Sequence, residues 1–324
     1  MRQTIRWGII GPGTIAHQFA NDIRFAPSAE LVAIASRGFS RSQGFAGLYN
    51  IPKAYGSYQE LLDDADIDAV YIATPHTFHL EQSQTALRAG KAVLCEKPLC
   101  ISVDECEALI STAEQEKRYV LEGMWTLFLP AIQRARRWVE EGEIGDILHL
   151  KADFGYPQTP YHPEKRQYNA ELAGGCLLDM GIYPIAMMEY FVGKAPKTMK
   201  SAVKYAPNGV EDDLTVLCDY GDCVASIGAS FRCRLANSCY LVGTKGFIHI
   251  PDFFRASEAQ LFKDETLIDV FKDGRQGGGF EFEVEAMCQD LTAGKTESDI
   301  IPLSRSLALQ KLMNDVKNDF KGQQ

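Results

Sequence analysis

The sequence lacks any apolar run approaching the roughly 20 residues needed to span a bilayer, which argues against a transmembrane protein. It lacks a Cys-x-x-Cys pair: nine cysteines are scattered through strand-like and helix-like segments. An odd count without framework spacing argues against a disulfide scaffold and for reduced thiols in a cytoplasmic protein. No basic patch or tail interrupts a formal charge of −10, so nucleic acid is not an expected partner. His76 and His79 stand close together, but no Cys or carboxylate cluster accompanies them, so no metal is expected. Internal repeats and low-complexity linkers are absent. So is a signal-peptide pattern, because Met1-Arg2-Gln3 leads straight into a strand-like segment. What is present is 324 residues, 46% hydrophobic and 23% charged, which predicts a globular protein of two domains.

Residues 4–10 read as a strand that runs into Gly11-Pro12-Gly13-Thr14-Ile15-Ala16, with an amphipathic helix from Thr14 to about Ile23. This is G-x-G-x-x-A between a strand and a helix, the pattern of a dinucleotide-binding turn. Gly11 permits the tight turn, Gly13 lets a pyrophosphate approach backbone N–H groups, and Ala16 allows close helix–strand packing. The helix N-terminus, at Thr14 and Ile15, favours the phosphate charge. The second strand, residues 31–36, ends where an NAD site places an acid for the ribose 2′-hydroxyl. Here it carries Ser36 and Arg37, with Arg41 one turn on, and no carboxylate. That chemistry suits a 2′-phosphate, so NADP is expected over NAD; the lesser alternative is that Arg37 merely stacks on adenine or faces water.

Further strands are expected at residues 69–73, closed by Thr74-Pro75-His76, at Ala92–Glu96 and at 119–121. Helices are expected between them, from Ser40, Tyr58, His79 and Val103. His79 either reaches the cofactor or caps its helix. Alternation of strands and helices through about 120 residues implies a doubly wound parallel sheet in residues 1–122. The stretch Ala92-Val93-Leu94-Cys95-Glu96-Lys97-Pro98 is a buried-strand pattern ending in an acid, a base and a proline. Ligands bind at the carboxyl ends of such strands, where Glu96 and Lys97 fall. A lysine at the edge of an apolar site can take part in proton transfer.

From residue 123 the rhythm changes. A helix at about 130–140 and a strand at 144–154 precede an irregular aromatic stretch to Tyr168. A helix from about Leu177 to Phe191 follows, with Gly174-Gly175 at its start. Strand patterns at 198–205, 214–220, 224–231, 238–250 and 266–271 with turn-like links imply a large, mostly antiparallel open sheet. Helices at 280–293 and 304–320 close the chain. Residues 123–324 are therefore expected to form the second domain, for substrate binding and oligomerisation. Asp179 and Tyr183 are four apart on the first of its long helices and share a face, either as a satisfied helix edge or as a proton-transfer pair.

These motifs resemble the glucose–fructose oxidoreductase/inositol dehydrogenase/rhizopine-catabolism (Gfo/Idh/MocA) family along essentially the whole chain. The matching residues are 8–13, 73–79, Cys95-Glu96-Lys97-Pro98 and 174–183. The resemblance implies a nicotinamide-linked oxidoreductase with Lys97 as the shared catalytic lysine, in a cis Lys97–Pro98 turn. It implies a sugar, polyol or dihydrodiol as substrate and a homodimer or homotetramer formed through the large sheet. Tyr183, where many members carry His, is similar to the branch containing dihydrodiol dehydrogenase, xylose dehydrogenase and glucose–fructose oxidoreductase. Leu127 departs from the Arg usual among relatives, and His76 from the commoner Asn. Trp125, Phe154 and Phe280 resemble the aromatic lining of a dihydrodiol pocket, a role that competes with ordinary core packing. The implied reaction is hydride transfer at a secondary alcohol, with either Tyr183 or Lys97 taking the proton and Asp179 fixing substrate or lysine. The alternatives are an enzyme that recycles a tightly bound nicotinamide cofactor, and a dinucleotide-binding regulator.

Overall fold

In a computed structural model, residues 4–322 are described; Met1-Arg2-Gln3 and Gln323-Gln324 lie outside them. The chain divides into two compact units. One holds the chain through Phe128 together with Arg275–Leu307, and the other holds Leu129–Gly274 and the chain from Ala308.

The first unit is the expected doubly wound sheet. It runs β1 (Ile5–Ile10), α1 (Thr14–Asp22), β2 (Ala29–Ala35), α2 (Phe39–Tyr49), β3 (Lys53–Tyr55), α3 (Tyr58–Leu62), β4 (Ala69–Ile72), α4 (His79–Arg88), β5 (Ala92–Glu96), α5 (Val103–Glu116) and β6 (Val120–Gly123). All six strands are parallel, in the order β3-β2-β1-β4-β5-β6. That order reverses at β1 and β4, the place where such sheets take their ligand. Every residue of β4, β5 and β6 is buried, because helices cover both faces. Each fully buried Ile or Leu of this core contributes about 1.5–3 kcal/mol. Helices α3 and α5 begin alike. Ser57 and Ser102 cap them, accepting the Glu60 and Glu105 N–H groups at 3.2 Å, while those glutamates reach back to the Gly56 and Ile101 N–H groups.

Strand β3 has no apolar run to announce it. It forms by pairing with Ala33–Ala35, and its side chains are tied down by Asp64, which accepts from Lys53 Nζ at 2.8 Å and from the Tyr55 hydroxyl at 2.7 Å.

The second unit runs α6 (Pro130–Glu140), β7 (Ile147–Gly155), α7 (Ile182–Val192), β8 (Thr198–Tyr205), β9 (Glu211–Asp219), β10 (Val224–Ser230), β11 (Cys239–Gly243), β12 (Phe247–Ile250), β13 (Glu258–Lys263) and β14 (Thr266–Lys272). Its eight-stranded sheet has the order β14-β13-β12-β11-β7-β10-β9-β8, antiparallel except for the β7–β10 pair. The expected strand 238–250 is a hairpin of β11 and β12, turned at Thr244-Lys245-Gly246. Helices α6 and α7 cover one face of this sheet. The other face presents Leu217, Val224 and Val242, 59%, 43% and 38% exposed, with stacked cross-strand pairs Phe247–Phe262 and Tyr240–His249.

One stretch among the described residues, Ala170–Val192, is long and apolar enough to cross a membrane by composition alone, a test that a buried core helix also passes. Of its most apolar 18-residue window, 83% is buried inside the protein.

The last helices are α8 (Phe280–Thr292) and α9 (Leu303–Lys321). The sequence pattern groups both with the second domain, whereas Arg275–Leu307 folds with the first unit. The apolar stripe Phe280, Val284, Met287 of α8 is buried there. Trp7 Nε1 meets Cys288 Sγ at 3.4 Å, Glu285 accepts from the Ser28 hydroxyl at 2.9 Å, and the Tyr119 hydroxyl donates to Asp290 at 2.7 Å. Partners more than 170 positions apart leave no local trace in the sequence.

Candidate active site

The first unit collects most of the predicted site residues at the carboxyl ends of its strands. Gly11 adopts φ +96°, and a Cβ there would sit 2.9 Å from Thr74 Cγ2; a Cβ on Gly13 would sit 3.3 Å from the Ala73 carbonyl oxygen. Both positions need glycine, for conformation at one and for proximity at the other. Gly13 starts α1 without a capping side chain, which leaves the helix N-terminus at Thr14 and Ile15 suited to a phosphate. These residues fit a dinucleotide.

At the end of β2, Ser36 is 1% exposed and its hydroxyl donates to the Gly38 carbonyl at 2.7 Å. Arg37 and Arg41 are exposed, so of the three they are the groups available to an anion. Arg37 also lines a cavity of about 290 Å³ with Ile10, Tyr58, Leu62 and Gln82. Tyr58 and Leu62 escaped sequence reasoning because they lie on a five-residue helix with no phosphate-binding chemistry.

Pro75 starts the short turn that leads into α4, and Thr74 donates through its hydroxyl to Gln82 at 2.7 Å. His79 is fully buried, its ring nitrogens 2.8 Å from the Pro98 carbonyl and 3.0 Å from that of Thr74. It ties the turn after β4 to the turn after β5. The Lys97–Pro98 bond is cis.

Lys97 is half-buried directly after β5, beside the 7%-exposed Glu96, which accepts the Lys97 N–H at 3.3 Å and the Tyr71 hydroxyl proton. A second carboxyl, Glu122, is 2% exposed and accepts the Leu99 N–H at 2.9 Å. Burial pushes it up to about 7, against the Leu99 N–H hydrogen bond, the nearby Ser306 hydroxyl and the Lys97 cation. Glu122 was not singled out from sequence; its only signal is an acid inside an otherwise apolar strand.

Trp125 and Phe280 stack in this unit, with ring centroids 4.9 Å apart and planes 8° from parallel. Phe280 is 2% exposed and meets Phe19 edge-on on its other side. It therefore backs Trp125, and Trp125 is the ring with residual exposure, at 8%.

The second unit carries Phe154, Asp179 and Tyr183. The expected α-helix from Leu177 opens instead as a π-helical turn, Leu177–Gly181. Pro184 has no N–H to return to the Met180 carbonyl, which loosens the winding ahead of it. Asp179 sits in that turn and accepts from Arg166 Nη2 at 2.8 Å, a partner sequence reasoning missed because it comes from the irregular stretch. Tyr183 packs edge-on to Phe154, with centroids 5.1 Å apart, and also to Phe254 at 6.2 Å. Among the described residues no group of three or more His, Cys, Asp or Glu is placed to hold a metal ion.

A parallel sheet in 3-2-1-4-5-6 order, a glycine turn at its switch point and a lysine at the end of β5 define a nicotinamide-dinucleotide oxidoreductase fold. Residues 5–124 match the oxidoreductase family with an NAD-binding Rossmann fold, GFO/IDH/MocA, and residues 132–249 match its C-terminal domain. The chain belongs to this family and binds NAD(P). It is 34% identical to the trans-1,2-dihydrobenzene-1,2-diol dehydrogenase of Homo sapiens over 323 residues, 97% of this chain and 96% of that one. The Mus musculus enzyme of the same name is 32% identical over 322 residues, with the same shares covered. Among solved structures, a 3-ketoreductase from Actinomadura kijaniata in complex with NADP and TDP-benzene is 26% identical, with a TM-score of 0.86 and 98% of both chains covered.

Proposed function

We propose that the chain is an NADP-preferring dehydrogenase or reductase acting on a secondary alcohol or carbonyl of a dihydrodiol, a cyclic polyol or a sugar. The observation that carries this reading is Lys97: half-buried at the carboxyl end of β5, directly after Glu96 and in the field of Glu122. Nicotinamide supplies the hydride chemistry. Lys97 and Tyr183 are the two groups that can take or return the hydroxyl proton. Asp179, anchored by Arg166, orients the substrate or its proton acceptor. Trp125 and Phe154 offer flat apolar surfaces, which suit a ring substrate, and Phe280 supports Trp125.

NADP preference follows from Arg37 and Arg41 at the end of β2, with no carboxylate to bond a free 2′-hydroxyl. Replacing Arg37 and Arg41 together with alanine should weaken NADP binding at least about tenfold, each charge-assisted hydrogen bond being worth ~1.5–3 kcal/mol. NAD binding should change little. Titration with both cofactors checks this, and parallel losses for NAD and NADP would remove the assignment. The apolar open face of the second unit's sheet is the proposed surface for a homodimer or homotetramer. Leu217→Asp combined with Val242→Lys should give the monomer mass in light scattering.

A further inference from the structure

The first unit holds a carboxyl group that the reaction above does not use. Glu283 lies three residues beyond Phe280 in α8 and so on the same face of the helix. It is 0% exposed, and neither carboxyl oxygen has a hydrogen-bond partner among the described residues. It does not cap the helix: Glu281 accepts the Gly279 N–H at 2.8 Å. A ladder of rings links this part of α8 to β5. Phe280 lies between Trp125 and Phe19, Phe19 stacks on Tyr71 with centroids 3.8 Å apart, and the Tyr71 hydroxyl donates to Glu96.

Two carboxyls in one dry region do not both ionise readily. Glu96 has donors in the Tyr71 hydroxyl and the Lys97 N–H, and Glu283 has none, so the charge belongs on Glu96 and the proton on Glu283. We infer that Glu283 is a positioning residue: as an uncharged acid it confines the negative charge of the pair to Glu96, next to Lys97. Burial first, and the Glu96 charge second, push the Glu283 carboxyl well above the usual carboxylate range. The other ionisable groups on the elements packed most extensively against α8 are His17, Asp22, Arg24 and Glu30. On α8 itself are Glu281, Glu285, Cys288 and Asp290. Asp22 accepts the Phe280 N–H at 3.3 Å and Glu285 accepts from Ser28. Glu96 is the group whose charge registers at Glu283.

The inference rests on the proposed role of Lys97, but its first test does not depend on turnover. Infrared spectra of the full chain at pH 8, where Glu122 is mostly ionised, should contain a protonated-carboxyl band that Glu283→Gln removes. A band unchanged in the variant, or absent from the wild type, overturns the inference. Thermal melts give a second readout. A carboxyl whose folded pKa is raised contributes full stability below its unfolded value, and that stability is lost as pH rises towards the folded value. Glu283→Gln should therefore melt higher than wild type at pH 8 and show no such gain at pH 4; equal shifts at both would refute it. Should the glutamine variant not fold, Glu283→Met serves for both measurements.

The positioning role itself is read from cofactor titrations. Wild-type NADP affinity should fall about tenfold as Glu283 ionises at high pH, the scale of one added charge at partly screened range. The affinity of Glu283→Gln should stay level across that range, and a wild-type profile equally level contradicts the role. If Lys97→Met keeps full turnover while the infrared band behaves as stated, the reaction assignment fails and the protonation of Glu283 stands.

Discussion

The two units prepare their candidate residues in different ways. In the first, the Lys97 end of β5 is a polar network inside an apolar sheet: Glu96 is held by Tyr71 and the Lys97 N–H, Glu122 by Leu99, and His79 between two turn carbonyls. In the second, Tyr183 stands among rings, against Phe154 and Phe254, with one ion pair nearby between Arg166 and Asp179. A network of buried carboxyls sets charge and is sensitive to pH. An aromatic wall sets shape, with the phenol hydroxyl as its polar tip.

The largest expected effect falls on the polar side. Lys97→Met should lower turnover about 10²–10⁴-fold, the usual range for losing a general acid or base, with NADP binding nearly unchanged. Tyr183→Phe should fall in the lower part of that range. Steady-state rates with cofactor titration measure both, and undiminished turnover in both variants would end the assignment.

Next comes the ring support. Phe280→Ala empties a fully buried site behind Trp125 and should cost about 3–5 kcal/mol in denaturant unfolding. A loss below ~1 kcal/mol would mean that Phe280 is not part of the packed support.

Glu122 predicts a pH effect whose sign can be fixed. Its folded value, about 7, lies above the ordinary 4.5. Its contribution to stability is therefore present at acid pH and is lost as pH rises through 7, by up to about 1.4 kcal/mol per pH unit within that window. Glu122→Gln should flatten the decline between pH 5 and 8 in thermal melts; an unchanged decline would assign it to other groups.

The smallest effect belongs to Arg166, 32% exposed at its side chain and bonded to Asp179. Arg166→Ala should raise KM several-fold with little change in kcat, since the pair is only partly buried and screened. A loss confined to kcat would move Arg166 from orienting substrate to the chemical step.

How much of this was legible in the sequence depends on how local each pattern is. The glycine turn at Gly11 and Gly13, the strand ending in Glu96-Lys97-Pro98 and the alternation of strands and helices are local patterns, so sequence reading found them with their surroundings. The supports of the site are long-range. Arg166 reaches Asp179 from an irregular stretch, and Glu122 is an acid in a strand whose burial depends on helices packed later. Glu283 feels Glu96 across 187 positions. Helix α8 has an apolar stripe that matches either unit, and only its partners Phe19, Trp7 and Ser28 assign it to the first. The π turn before α7 was hidden for another reason: the four-residue spacing of Asp179 and Tyr183 looks the same whether the winding is α or π.

The most direct test of the central claim is a panel of dihydrodiols, cyclic polyols and aldoses assayed with the wild-type protein by nicotinamide absorbance, with NADP and with NAD. The account predicts turnover of at least one cyclic secondary alcohol, faster with NADP than with NAD and abolished in Lys97→Met. A protein that binds NADP yet turns over no member of the panel would contradict it.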